Sequence, residues 1–194
     1  MAWLNWLVFF LTLISAGSIL VNRNWRWNLV SLAIQYGCVF WLVQVSWDVS
    51  LALVKLITGW MICVILGLAH LHRPPEEPVE SSWPQGGLFR LMVISLVLVV
   101  AFLGAQGMQP WLGIEFPAAW GGSLLIGLGL LLAGITIQPF RVILGLLTFL
   151  MGFEVIYAAM ESSSLVTGLL VLVNLGLAVA GAYFLSNEPG SEQA

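Results

Sequence analysis

Seven long apolar runs, separated by short polar breaks, account for almost the whole chain. They cover roughly 2–21, 27–45, 49–69, 88–108, 118–137, 141–160 and 163–185, each close to the ~20 residues that a helix needs to cross a bilayer core. None has the apolar/polar alternation of a membrane barrel strand, and a backbone in lipid must satisfy its polar groups within its own segment. The pattern predicts an all-α integral membrane protein of about seven transmembrane helices. Composition agrees: of 194 residues 60% are hydrophobic and 8% charged, which leaves no soluble domain of any size. The breaks divide the chain into a first three-helix unit (1–71), a Pro/Glu-rich loop (72–87), a connector helix with an outer loop (88–117), a second three-helix unit (118–186) and a tail (187–194).

Charge adds an orientation. With seven spans the loops alternate sides, and Arg23, Arg26, Arg73, Arg90 and Arg141 all fall in breaks on one side, whereas Asp48, Glu115 and Glu161 fall on the other. The positive-inside rule makes the arginine side cytoplasmic, so the N-terminus is expected outside and the C-terminus inside, in a prokaryotic inner membrane. The first run has no basic leader and runs directly into the anchor-rich "NRNWRW", so it reads as a retained helix rather than a cleaved signal. Cys38 and Cys63 lie within apolar runs and read as small packing residues. His70 and His72, in "HLHRPPEEPVE", have no further Cys or His nearby and read as part of a solvated linker, not a metal site. Trp3, Trp6, Trp25, Trp27, Trp47, Trp83, Trp111 and Trp120 cluster near the helix ends, as an interfacial belt would.

The chain also repeats itself. "RWNLVSLAIQYGCVFWL" from Arg26 aligns without a gap on "RVILGLLTFLMGFEVIY" from Arg141, an offset of 115 that also brings Gly37 onto Gly152. Helices 1–3 and 5–7 therefore read as two copies of one unit, in the same orientation because four spans separate their starts. That differs from the inverted repeats of many secondary transporters.

Two charges fall at membrane depth, where an unpaired charge costs several kcal/mol, about 2.5–3.5 on insertion scales. Glu154 lies about 20 Å along its helix from Arg141, and Lys55 about 10 Å from Asp48 at the opposite side. The two depths coincide, so the side chains could meet. Paired, both stay charged; apart, each would tend to its neutral form and could exchange a proton. The alternative is a structural ion pair that holds the two units together. Weaker polar residues follow helical spacing: Asn28, Ser31, Gln35 and Cys38 on the second helix; Glu154, Tyr157 and Glu161 on the sixth; Thr167 and Asn174 on the seventh, with Gly181 seven further on. Singly they read as interhelical contacts; together they sketch a polar file. The proton-path candidates are Glu154, Lys55, Tyr157, Glu161, Asn174 and Gln35.

"GFEVIYAA" (152–159) resembles the second helix of the K-type (chain 4L) subunit of NADH-quinone oxidoreductase, a three-helix protein with a buried glutamate after a Gly-hydrophobe pair. The whole chain resembles a doubled form of that subunit, the E component of hydrogenase-4-like complexes, including a lysine in the third helix, here within "LALVKLITGWM". The resemblance implies that Glu154 is the second-helix glutamate and Lys55 the third-helix lysine. It departs in two places. Where the K-type subunit has a further glutamate, the seventh helix has Asn174, and the repeat counterpart of Glu154 is Val39.

The expected function is a membrane-arm subunit of a complex I-like or hydrogenase-like ion-translocating oxidoreductase, supplying part of a proton path. It would act with other integral membrane subunits, antiporter-like ones among them, in the lipid bilayer. No independent catalysis, cofactor, soluble small-molecule substrate or nucleic acid is expected, because the chain has no Cys cluster and no GxGxxG. Competing expectations are a non-catalytic scaffold or assembly subunit, and a small independent transporter. The transporter is disfavoured by the sparse charges and by the lack of matched mid-helix Pro/Gly breaks.

Overall fold

The computed structural model describes residues 2–22, 24–44, 46–71, 87–161 and 163–186. These form seven helices and no strand: α1 (Ala2–Val21), α2 (Trp25–Val43), α3 (Val49–Leu71), α4 (Gly87–Leu112), α5 (Phe116–Ile135), α6 (Pro139–Met160) and α7 (Ser164–Ser186). Six are long and apolar enough to cross a membrane, so the chain is an all-α multi-pass membrane protein. The exception, α2, has 19 residues but carries Arg26, Asn28, Ser31 and Gln35. It can be more polar because it packs against α1, α3 and α6, and its Asn28, Ser31, Gln35 and Cys38 are all buried in protein.

Local chemistry explains the ends that differ from the sequence expectation. Helix α2 starts at Trp25 rather than 27 because the Asn24 side chain accepts a hydrogen bond from the Arg26 N–H at 3.1 Å, an N-cap. Helices α5 and α6 each start two residues early, with Pro117 and Pro139 in their first turns, where a missing N–H costs nothing. Helix α4 was expected to stop at 108. It continues through Pro110 to Leu112 and ends at Gly113, whose φ of 64° suits a residue without a Cβ and whose N–H donates to the Gln109 carbonyl at 3.1 Å.

The most extensive helix interface joins α5 to α6. Glycines make it possible: a Cβ on Gly152 would stand 2.5 Å from the Gly122 carbonyl oxygen, and one on Gly145 2.6 Å from the Ala133 nitrogen. Backbones meet where side chains are absent, the usual basis of tight helix association in lipid. Gly37, the repeat counterpart of Gly152, faces open space instead. Across the molecule α1 packs on α5, α2 on α6 and α3 on α7, while α4 lies outside, mainly against α5, and is the least buried of the six apolar helices.

Three expectations are corrected here. His70 is not part of a solvated linker: it belongs to the last turn of α3, between the rings of Trp25 (4.7 Å) and Phe140 (5.0 Å). His72, with the rest of 72–86, lies outside the described residues. Trp47 and Trp120 are not belt anchors. Trp47 is buried and donates its indole N–H to the Glu161 carbonyl at 2.9 Å, and half-buried Trp120 stacks on Phe9 at 4.3 Å. Trp3 and Trp111, more than 85% exposed at the ends of α1 and α4 (91% and 90%), do fit a belt. Trp83 lies outside the described residues. Arg141 is more than a loop charge. Only 7% exposed, it donates from one guanidinium nitrogen to the carbonyls of Ile19 (3.3 Å), Leu20 (3.3 Å) and Asn22 (2.9 Å), closing the C-terminal end of α1.

A buried ion pair between the two halves

The tight α5–α6 seam fixes how α6 faces the rest of the protein. At about 100° per residue, Gly152 against α5 turns Glu154 to the opposite side, towards α3 and α7. There Glu154 forms an ion pair with Lys55 of α3. Glu154 is 0% and Lys55 4% exposed, so neither charge has access to lipid or solvent. Asn174 of α7 donates its amide N–H to Glu154 Oε1 at 2.6 Å, the same oxygen that meets Lys55. Three helices thus converge on one carboxylate. Of the described residues, no other acid–base pair is in contact.

The second carboxylate oxygen, Oε2, has no hydrogen-bond partner within the protein, nor have Asn174 Oδ1, Gln35 Nε2 and Tyr36 Oη, all buried. Gln35 instead accepts from the Thr148 hydroxyl at 3.4 Å, one of the contacts between α2 and α6. A run of small polar groups continues towards the Arg141 end, where the Ser31 hydroxyl donates to the Ser18 hydroxyl at 3.1 Å and Asn22 to Ser18 at 3.0 Å.

Of the six sequence candidates, Glu154, Lys55 and Asn174 come together and Gln35 lies in the adjoining polar interior. Tyr157 and Glu161 do not join them. Tyr157 is half-buried beside Phe153, with ring centroids 6.0 Å apart, and Glu161 is exposed beyond the end of α6, where its backbone caps that helix. A residue spacing of three and four keeps side chains on one stripe of a helix, but the stripe here leaves the protein interior within two turns. Thr167, buried on α7, bonds locally to the Ser163 carbonyl at 3.1 Å, and Gly181 receives Ile143 and Leu66.

Tyr36 was missed by the sequence argument. Its ring rests against Gly59 of α3, filling the space that a Cβ would need, and Gly59 is one turn along from Lys55. Its neighbour Gln35 lies in the polar stripe of α2, but Tyr36 is turned about 100° from it, so helical spacing carried no signal for it. A cavity of about 140 Å³ opens at the Glu161 end of the molecule, lined by Asn5, Ser46 and Glu115 and by the apolar Leu42, Ile114 and Ala159. Asn5 donates to Glu115 there at 2.6 Å, and neither Lys55 nor Glu154 is among the lining residues. Comparison with known proteins finds no match: no family model, no curated protein and no solved structure is similar to this chain.

Proposed function

We propose that the chain is a membrane-arm subunit of a complex I-like or hydrogenase-like ion-translocating oxidoreductase and supplies part of a proton path. The observation that carries this reading is the fully buried Lys55–Glu154 pair, with one carboxylate oxygen doubly engaged and the other unpartnered. A carboxylate held in this way can pass between a paired, charged state and a protonated one with little movement, which is what a proton relay requires. Gln35, Thr148, Ser31 and Ser18 extend polar groups from the pair towards one membrane surface. The pairing of α1 with α5, α2 with α6 and α3 with α7 supports the two parallel three-helix repeats, and the gathering of Arg26 and Arg141 at one end supports an N-outside orientation in a cytoplasmic membrane. Its partners are other integral membrane subunits, antiporter-like ones among them, reached through the apolar outer faces of the helices.

The same pair favours a second reading, a non-catalytic scaffold in which Lys55 and Glu154 pin the two halves together. The test is Glu154→Gln in the intact membrane complex. The amide is nearly isosteric, so a proton relay predicts normal subunit abundance with reduced proton translocation. A scaffold predicts reduced abundance, partly restored by adding Lys55→Met. Normal abundance with normal translocation refutes both.

A further inference from the structure

The exposed tryptophans divide by depth. Trp3, Trp6, Trp27 and Trp111 lie within four residues of a helix end, where an indole can rest its ring on lipid and its N–H on water. Trp60 is 54% exposed but stands in the middle of α3. Counted along the helix from Asp48 and from Leu71, it is about 17 Å from either end, at the centre of a hydrocarbon core about 30 Å thick. The indoles of Trp41 and Trp47 donate within the protein, to Asn5 Oδ1 at 3.4 Å and to the Glu161 carbonyl at 2.9 Å. The Trp60 indole has no such acceptor among the described residues. The lipid chains beside an exposed side chain at that depth hold neither acceptor nor water, so a donor left among them carries its desolvation cost.

The rest of that face is apolar. Leu53, Ile57, Met61, Val64 and Leu68 recur at helical spacing and are each more than 40% exposed, whereas Ala52, Lys55, Thr58, Ile62 and Leu66 are buried against the protein. Lipid suits the aliphatic side chains but not the indole donor. We propose that this face of α3 docks a transmembrane helix of a different membrane protein, one that presents the side-chain oxygen of an Asn, Gln, Ser or Thr to the Trp60 N–H at mid-bilayer level. In lipid apolar area alone gives no preference for protein, so an interhelical hydrogen bond is what makes one apolar face specific. A second copy of this chain does not supply the acceptor. A two-fold dimer through α3 sets the face against itself, and at that level it offers a second indole donor, aliphatic side chains and the weak thioether acceptor of Met61. Elsewhere on the described spans the exposed polar side chains nearest that level are Ser95 and Gln106 of α4, about 7 Å or more from the midpoint of that helix. The docking face is separate from the Lys55–Glu154 pair and needs only a membrane partner, so it stands or falls apart from the proton-path reading.

Photocrosslinking of the full chain in the membranes of cells to which it is native tests this. The probe, p-benzoylphenylalanine, is placed singly at Ile57 or Val64, one turn to either side of Trp60 and both exposed, and the crosslinked peptides are sequenced by mass spectrometry. The expected product joins these positions to a transmembrane segment of a different protein, within one turn of an Asn, Gln, Ser or Thr near the middle of that segment. Trp60→Phe keeps an aromatic ring and removes the donor, so it should lower the yield of that product several-fold, relative to the amount of chain in the membrane. Crosslinks to a second copy, to lipid alone or to a segment without such an acceptor overturn the proposal, even if Trp60→Phe fails to fold. A yield that Trp60→Phe leaves unchanged overturns it too, because the partner would then not be held by the indole N–H.

Discussion

Removing one partner of the buried pair should cost far more than removing both. In Glu154→Leu, Lys55 is left 4% exposed with no acid in contact and must either bear an unpaired buried charge or give up its proton, and breaking a buried pair in this way costs about 3–5 kcal/mol. Lys55→Met should fall at the low end of that range, because Glu154 keeps the 2.6 Å hydrogen bond from Asn174 and can neutralise itself by taking up a proton. In the double variant no charge is left to desolvate. What remains is the Asn174 amide without its acceptor, a loss of about 1–3 kcal/mol. The single losses therefore should not add: the double variant should be more stable than Glu154→Leu, with a coupling of at least about 3 kcal/mol. Steric-trap or mixed-micelle unfolding of the chain, measured for all four proteins, gives the cycle directly. Losses that add to within about 0.5 kcal/mol would refute the argument, and with it the idea that either charge depends on the other.

Three further predictions follow from the packing. Gly152→Ala would bring a Cβ to 2.5 Å from the Gly122 carbonyl, where only backbone can give way, so it should destabilise by about 3 kcal/mol, the upper end of overpacking costs, whereas Gly37→Ala, facing open space, should be nearly neutral in the same unfolding assay. Arg141→Gln should loosen the end of α1 by about 1.5–3 kcal/mol, the value of hydrogen bonds to a charged donor, read as faster amide hydrogen exchange over 18–22 with α4 unaffected. In a cysteine-free background, a cysteine replacing exposed Glu161 should react with an impermeant thiol reagent from outside and one replacing exposed Arg26 should not; the reverse pattern refutes the orientation.

Solvent class, helix number and helix length belong to the sequence alone. Apolar runs near 20 residues have one stable form in lipid, so the seven helices lie within a few residues of where hydropathy puts them. The buried stripe of α2 was also legible, because Asn28, Ser31, Gln35 and Cys38 recur at helical spacing. Depth could be counted too, and it set Lys55 and Glu154 at one level. Whether they face each other could not be counted, because rotation of a helix about its axis depends on what packs against it. The glycine seam between α5 and α6 made that choice, turning Glu154 inward to Lys55 and Asn174 and leaving Glu161 exposed. Contacts between distant segments were decided in the same way: Tyr36 on Gly59, Arg141 at the end of α1 and Trp47 on Glu161 each need two helices to be in place before the partner exists. A linear pattern specifies the medium and the period of each helix, but only packing assigns the neighbours.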